Sequence, residues 1–205
     1  VGRGLSNLAK HLSNLRTVFR LPVVVAVNKF PTDDWEELAV VLDFCRAQEV
    51  PVAISEVVVQ GGAGGVELAK EVLATMERAE NRFTPLYERN TPVEEKIALL
   101  ATKIYGADGV SYTKEARRAL AEIKKLGFEH LPVCMAKTQM SLTDDPKLKG
   151  APHGWELTVR DLKLSAGAGF IVVFAGNILT MPGLPQTPAA EKVDLLPDGT
   201  ITGLF

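Results

Sequence analysis

The chain has 205 residues, of which 46% are hydrophobic, and its 23 basic side chains nearly balance 25 acidic ones. A net charge of −2 argues against a strongly basic nucleic-acid binder and a charge-rich disordered chain. The most apolar stretch, residues 21–27, is far shorter than the about eighteen residues of a membrane span. Cys45 and Cys134 lie in apolar segments, which predicts reduced core thiols. We therefore expect a globular protein of the cytoplasm or an organelle matrix, with no nucleic-acid or membrane partner.

The first half of the chain alternates between helix and strand patterns. Leucines at helical spacing over residues 5–15 predict a helix, and the β-branched run at residues 23–27 predicts a strand covered on both faces. The segment Thr32-Asp33-Asp34 supplies a cap and first-turn acids for a helix with Trp35 on its apolar stripe, and a strand at residues 50–55 follows. This order is typical of a parallel α/β sheet.

A glycine-rich loop at residues 61–65 leads into a helix whose apolar residues, from Leu68 to Met76, are expected to face inward. Farther along, the patterns predict helices starting near residues 91 and 113 and strands at 131–136 and 170–174. We predict an α/β fold, with parallel-sheet strand–helix alternation first, then a smaller α/β segment and an irregular tail rich in Gly and Pro. The predicted domains are residues 1–90 and 91–205.

The segment after the first predicted strand, Asn28-Lys29-Phe30-Pro31-Thr32-Asp33, is a candidate binding site. In open α/β sheets, ligands bind beyond the carboxyl ends of the strands. Phe30 offers a flat apolar face to a heteroaromatic ring, and Pro31 stiffens the wall beside it. The alternative is that Phe30 only packs the loop. Asn28 and Lys29 resemble part of the guanine-binding motif of GTPases, but Pro31 stands where that motif needs a carboxylate, which argues against a GTPase.

The glycine-rich loop leaves two interpretations open. Its backbone N–H groups could bind an anion, or it could be a tight connection before the helix. It lacks the Lys-Ser/Thr pair of a P-loop.

Seven segments together resemble formate–tetrahydrofolate ligase, also called 10-formyltetrahydrofolate synthetase, and they occur in the order found in that family. The matching segments are residues 24–33, 61–69, 135–139, 159–162, 166–170, 181–185 and 203–205. The resemblance covers the carboxyl-terminal portion of the enzyme. It implies an ATP-dependent ligase that uses Mg²⁺ and joins formate to tetrahydrofolate through formyl phosphate, and it implies a homo-oligomer.

The same resemblance assigns roles to particular residues. It places Phe30 and Pro31 in the pterin pocket, with Ile54 and Val58 at neighbouring walls. Val58 stands in the place of a family tryptophan, and losing that aromatic face reduces stacking by about 1–3 kcal/mol where nothing compensates.

A second set of residues is placed near the nucleotide by the resemblance. Pro152, Gly154 and Trp155 are similar to a Pro-x-Gly-aromatic loop of the family.

The phosphate-binding lysine and metal-binding hydroxyl of the family's P-loop have no counterpart in these 205 residues. We therefore expect no catalytic residue and no metal ligand in this chain. The first hypothesis is a carboxyl-terminal ligase fragment, inactive alone, that supplies walls of the folate pocket. The alternative is a non-catalytic, degenerate ligase-like module for assembly or ligand binding.

Overall fold

The structure, a computed structural model, describes residues 1–176, 178 and 186–203, with the side chain of Ala189 left aside. Residues 181–185 and the last two residues, Leu204 and Phe205, lie outside this described part, so two of the family-like segments are wholly or partly outside it. Helices and strands alternate along much of the chain, which confirms the predicted α/β class.

The elements have the following bounds. The helices are α1 (Leu5–Ser13), α2 (Trp35–Ala47), α3 (Val57–Gln60), α4 (Val66–Arg78), α5 (Val93–Leu99) and α6 (Lys114–Lys125). The strands are β1 (Val25–Asn28), β2 (Val52–Ser55), β3 (Gly109–Tyr112), β4 (Val133–Ala136), β5 (Glu156–Ser165), β6 (Phe170–Ala175), β7 (Asp194–Leu195) and β8 (Ile201–Thr202). Two π-helical segments, Asn14–Val18 and Leu100–Tyr105, directly follow α1 and α5.

In the first half, β1 and β2 form a two-stranded parallel sheet in which Val25 pairs with Val52. Both valines pack against a core centred on Leu12 of α1 and Cys45 of α2. The alternate β1 residues, Ala26 and Asn28, are exposed. The prediction that this strand is covered on both faces is therefore wrong, because its apolar packing comes from the side of α1 and α2.

Helix α4 also differs from the expectation. Leu68 and Ala74 are half-buried on the side of α4 that contacts β2, but Leu73 and Met76 are 60% and 67% exposed. The predicted inward orientation holds for Leu68 and is wrong for Ala69, Val72, Leu73 and Met76, which are exposed. Packing against β2 from one side covers only a narrow stripe of this helix.

The second half contains a four-stranded sheet in the order β3-β5-β6-β4. The outer pairs are parallel, whereas β5 and β6 are antiparallel. Only four residues separate β5 from β6, and so short a connection permits antiparallel pairing alone. Helices α5 and α6 cover the sheet through a buried core that includes Val93, Ile97, Ala116, Leu120, Ile123, Leu157, Val159, Ile171 and Val173.

The two cysteines lie in different surroundings. Cys45 is fully buried, as predicted, and this burial raises the pKa of its thiol. Cys134 is exposed, so its assignment to the core is wrong. It lies on the edge strand β4, where alternate side chains point away from the core.

The two halves meet where the π-helical segments approach each other. Asn14 Nδ2 donates to the carbonyl oxygen of Ile104 at 2.9 Å, and Lys10 Nζ donates to that of Lys103 at 2.6 Å. The two buried cores fall on either side of residue 90, and the domain boundary there stays a prediction. Among the described residues, no helix combines the length and apolar character needed to cross a membrane.

Lys96 of α5 is fully buried and holds the surrounding loops together. Its Nζ donates to the carbonyl oxygens of His130 and Leu131, just before β4, at 2.5 and 3.1 Å. It also donates to the carbonyl of Arg89 at 3.1 Å and lies 5.4 Å from the ring centroid of Tyr87. Burial lowers the pKa of Lys96. The ammonium group therefore stays in the core because carbonyl oxygens replace its hydration.

Replacing Lys96 with Met should destabilise the fold strongly, because three carbonyl oxygens in a partly buried setting would lose their shared donor. We expect a loss of about 3 kcal/mol in the free energy of unfolding, measured by urea denaturation. Lys125→Met, at an exposed position of α6, is the matched control and should change stability by less than about 0.5 kcal/mol. Equal unfolding midpoints for the two variants would show that Lys96 has no such role.

Candidate functional site

The carboxyl ends of β1 and β2 form one edge of the first sheet. Asn28 pairs with Ser55 at this edge, and the N–H of Lys29 donates to the carbonyl oxygen of Ser55 at 2.9 Å. The parallel pairing therefore brings the segment after β1, with Phe30, close to the segment after β2, with Val58. This confirms that the two segments leave the sheet at the same edge.

The loop after β1 is folded by its own aspartates. The N–H of Phe30 donates to Asp33 Oδ2 at 2.8 Å, and the N–H of Asp33 donates back to the Phe30 carbonyl at 3.1 Å. Asp34 caps α2 by accepting from the N–H of Glu36. Phe30 is left 45% exposed, so its ring is available to a ligand.

An ion pair joins the two segments just beyond the strands. Lys29 Nζ lies 2.7 Å from Glu56 Oε1 and 4.5 Å from the ring centroid of Trp35. The other carboxylate oxygen of Glu56 accepts from Gln60 Nε2 at 3.1 Å. Only 17% of the Lys29 side chain is exposed, and solvent screens such a pair less than a surface pair. Because Lys29 contacts both groups, the Trp35 ring and the Glu56 carboxylate lie close together at the sheet edge.

The glycine-rich loop packs directly against the backbone of this edge. It forms a short 3₁₀ segment, Gly61–Gly65, and the N–H of Glu56 donates to the Gly64 carbonyl at 3.0 Å. A Cβ on Gly64 would lie 2.5 Å from the carbonyl carbon of Glu56 and 2.6 Å from its oxygen. A glycine is required there because the two backbones approach so closely. The geometry thus supports the tight-connection interpretation, and anion binding by the loop stays a prediction.

These groups surround a cleft of 460 Å³ at the sheet edge. Its walls combine the exposed ring of Trp35, the half-buried side chain of Ile54 and the backbone of Gly64. Carboxylates of Glu56, Glu67 and Glu71 and the amide of Gln60 supply its polar groups. Such a cleft suits a flat ring that carries N–H donors, because apolar faces stack on it and carboxylates accept its hydrogen bonds.

Of the four residues predicted for the folate site, one lines the cleft and three do not. Ile54 lines the cleft, whereas Phe30, Pro31 and Val58 lie near the same edge without lining it. Val58 is 59% exposed on the single turn of α3. Their role in binding folate stays a prediction.

The three residues predicted near the nucleotide lie in the second half. Trp155 is buried in the core of the second sheet, and its Nε1–H donates to the Pro152 carbonyl at 3.1 Å. Gly154, between them, adopts a φ of 75°, which favours glycine. Pro152 lines a separate cavity of 680 Å³ with Arg3 and Lys149. Nucleotide binding by this segment stays a prediction.

Lys137, directly after β4, binds backbone groups of its own loop. Its Nζ donates to the carbonyl oxygens of Thr138 and Ser141 and lies 5.0 Å from the Tyr105 ring centroid. Burial lowers its pKa, although Asp144 opposes this shift. The structure therefore gives Lys137 a role in holding the loop after β4.

Sequence reasoning missed the Lys29–Glu56 pair and the position of Trp35. Trp35 was expected on the buried stripe of α2, but it is 59% exposed and faces the cleft. A signal for the pair was present, since Lys29 lies two residues after the first predicted strand and Glu56 directly follows the second. Parallel neighbours bring such residues together.

Replacing Gly64 with Ala should disrupt this edge, because the added Cβ meets immobile backbone atoms. We expect a loss of about 2 kcal/mol in the free energy of unfolding, measured by urea denaturation. Gly62→Ala in the same loop is the matched control, since a Cβ there meets nothing within 4 Å. If both variants are equally stable, the close approach of Gly64 to Glu56 is not a constraint on the fold.

The comparison with protein families agrees with the resemblance seen in the sequence. The chain matches the family model described as formate–tetrahydrofolate ligase over residues 1–205, which is all of its 205 residues. The match therefore includes the β1–β2 edge, the glycine-rich loop and the second sheet together. Since it extends over far more than half of the sequence, this chain belongs to the formate–tetrahydrofolate ligase family.

Proposed function

We propose that this chain supplies the pterin-binding part of a ligase that joins formate to tetrahydrofolate. In this proposal ATP phosphorylates formate to formyl phosphate, and the folate amine then attacks the formyl carbon as phosphate leaves, giving 10-formyltetrahydrofolate. The observation that carries the proposal is the cleft beside Trp35 and Ile54, which runs along β2 to the segment after its carboxyl end. As family members are expected to do, the protein would act as a homo-oligomer in the cytoplasm or an organelle matrix.

The charges of the cleft favour a pterin over a triphosphate. Three carboxylates, those of Glu56, Glu67 and Glu71, line it. Each is paired with a cation outside the lining: Lys29, Lys70 and Arg78 respectively. Paired carboxylates still accept hydrogen bonds from the N–H groups of a reduced pterin, whereas they repel phosphate oxygens.

We further propose that Trp35 provides the aromatic wall that Val58 does not. The Trp35 ring lines the cleft and is 59% exposed, with the Lys29 ammonium 4.5 Å from its centroid. Phe30, on the neighbouring loop, then forms a second apolar surface at the mouth of the cleft. A pterin stacked on Trp35 would place its N–H edge toward the carboxylate of Glu56.

The ATP-dependent step requires groups that this chain does not supply. The 205 residues contain no P-loop motif, and the described part shows no cluster of three His, Cys, Asp or Glu side chains fit to hold Mg²⁺. We therefore assign these residues no step in phosphoryl transfer, and nucleotide binding by Pro152, Gly154 and Trp155 stays a prediction.

Replacing Trp35 with Ala should weaken tetrahydrofolate binding about tenfold, because stacking on an aromatic face is worth about 1–3 kcal/mol. Phe30→Ala should weaken it by a smaller factor. In the Trp35→Ala background, Val58→Trp should restore part of the affinity by placing an aromatic ring at the same edge. The measurement is fluorescence titration of tetrahydrofolate into the 205-residue chain.

Leu126→Ala is the control for these variants, since Leu126 is 57% exposed at the distant end of α6. It should leave the affinity unchanged. If tetrahydrofolate binds equally well to the wild type, Trp35→Ala and Phe30→Ala, the cleft is not the pterin site. If the wild type does not bind tetrahydrofolate at all, the alternative of a non-catalytic ligase-like module is favoured.

The purified 205-residue chain should show no formate-dependent hydrolysis of ATP, because it lacks the phosphate-binding lysine of a P-loop. Release of inorganic phosphate with and without formate, at saturating ATP and Mg²⁺, measures this. Turnover that depends on formate would contradict the proposal that the chain supplies only folate-binding groups. A denatured sample serves as the blank.

A further inference from the structure

We propose that the opposite edge of the first sheet carries a second site, which binds a small multivalent oxyanion. A cavity of 620 Å³ lies there, at the amino ends of β1 and β2. Its lining includes four arginines, Arg16, Arg20, Arg78 and Arg82. The proposal does not depend on the folate cleft, which lies at the carboxyl ends of the same strands.

Three parts of the chain build this cavity. The segment between the first π-helical segment and β1 contributes Arg20, and the turn between α2 and β2 contributes Glu49. The last turn of α4 and the residues after it contribute Arg78 and Arg82. The arginines are thus brought together by the fold and are not neighbours in one charged run.

The charge of the lining is positive. Four arginines against the two glutamates of the lining, Glu49 and Glu80, leave a net charge of +2. Guanidinium groups donate paired hydrogen bonds that match the oxygens of phosphate and carboxylate groups. The side chains therefore favour an oxyanion that carries more than one negative charge.

Two of the arginines are partly used by the fold. Helices α2 and α4 both end at this cavity, and their last carbonyl groups carry partial negative charge. Arg16 donates to the carbonyl of Gln48 at 2.9 Å, and Arg78 donates to that of Ala74 at 3.1 Å. Arg78 also donates to Glu71 Oε1 at 3.1 Å. These two side chains offset the helix ends and still keep unused N–H groups.

The other two arginines are more available. Arg82 pairs with Glu80 at 2.7 Å, but both side chains are 73% exposed, and such a pair contributes little to stability. Arg20 makes no side-chain hydrogen bond or ion pair within the described part of the chain. An oxyanion can therefore be held by Arg20 and compete with Glu80 for Arg82.

The backbone of Arg20 gives an independent reason to assign it a role. Its φ is 55°, a conformation that favours glycine, and Glu49 across the cavity has a φ of 52°. A hydrogen bond from the N–H of Leu21 to the carbonyl of Leu15, at 2.9 Å, closes the turn at Arg20. At a positive φ, glycine is less strained than arginine. An arginine at such a position indicates that its guanidinium group has a role.

The test is calorimetric titration of the full 205-residue chain with inorganic pyrophosphate and, separately, with citrate. Arg20→Gly should weaken binding about tenfold while leaving the melting temperature equal or higher, because glycine suits the positive φ and no internal contact is lost. Tighter binding of pyrophosphate would assign a phosphorylated ligand, and tighter binding of citrate would assign a carboxylate ligand.

Two further variants make the test specific. Glu80→Gln should tighten binding several-fold, since it releases Arg82 and removes a negative charge. Arg46→Ala, outside the cavity lining and paired with Asp43, should leave the affinity unchanged. The proposal is overturned if neither anion binds, or if Arg46→Ala weakens binding as much as Arg20→Gly. Tetrahydrofolate affinity should be the same in Arg20→Gly and wild type, so failure here leaves the folate proposal untouched.

Discussion

The parallel pairing of β1 with β2 is the constraint on which both proposed sites depend. Val25 pairs with Val52 and Asn28 with Ser55. The two segments that follow the strands therefore lie at one edge of the sheet, and the two segments that precede them lie at the other. Each strand has only four residues, so the two edges are about 13 Å apart at 3.3 Å per residue. A shift of one residue in this register would separate Lys29 from Glu56 and reverse which side chains of β2 face the core.

The sequence predicted most of what depends on local patterns. The apolar run predicted β1, the cap within residues 32–34 predicted the start of α2, and the pattern near residue 113 predicted α6. All three elements are confirmed. These features need only neighbouring residues, since caps and helix faces are set by spacing along the chain. The place of the candidate site followed from the same information, because ligands bind beyond the carboxyl ends of parallel strands.

The features that sequence reasoning missed depend on partners distant in the chain. Apolar spacing in α4 shows which residues share a face but not how much of that face a neighbour covers, so Leu73 and Met76 were wrongly placed inside. Trp35 was misplaced for the same reason, since its ring contacts Lys29 of the neighbouring loop and lines the cleft at the surface. In the sequence, Lys96 looks like an ordinary lysine on the surface of a helix. Only in the folded chain do three carbonyl oxygens surround it.

The charged side chains around the first sheet are there for two different reasons, and the hydrogen bonds of each side chain show which reason applies. In a parallel α/β unit, helices begin at the carboxyl edge of the strands and end at the amino edge, so helix dipoles favour acids at the first edge and arginines at the second. Glu67 in the first turn of α4 and Arg78 in its last turn follow this rule, and Arg78 is bonded to a helix carbonyl. Arg20 does not follow from it, because its guanidinium bonds to no helix end in the described chain and its backbone is in a conformation that glycine would adopt more easily. The helix dipoles thus account for Arg16 and Arg78, and Arg20 is the side chain that distinguishes a binding site from simple compensation of helix ends.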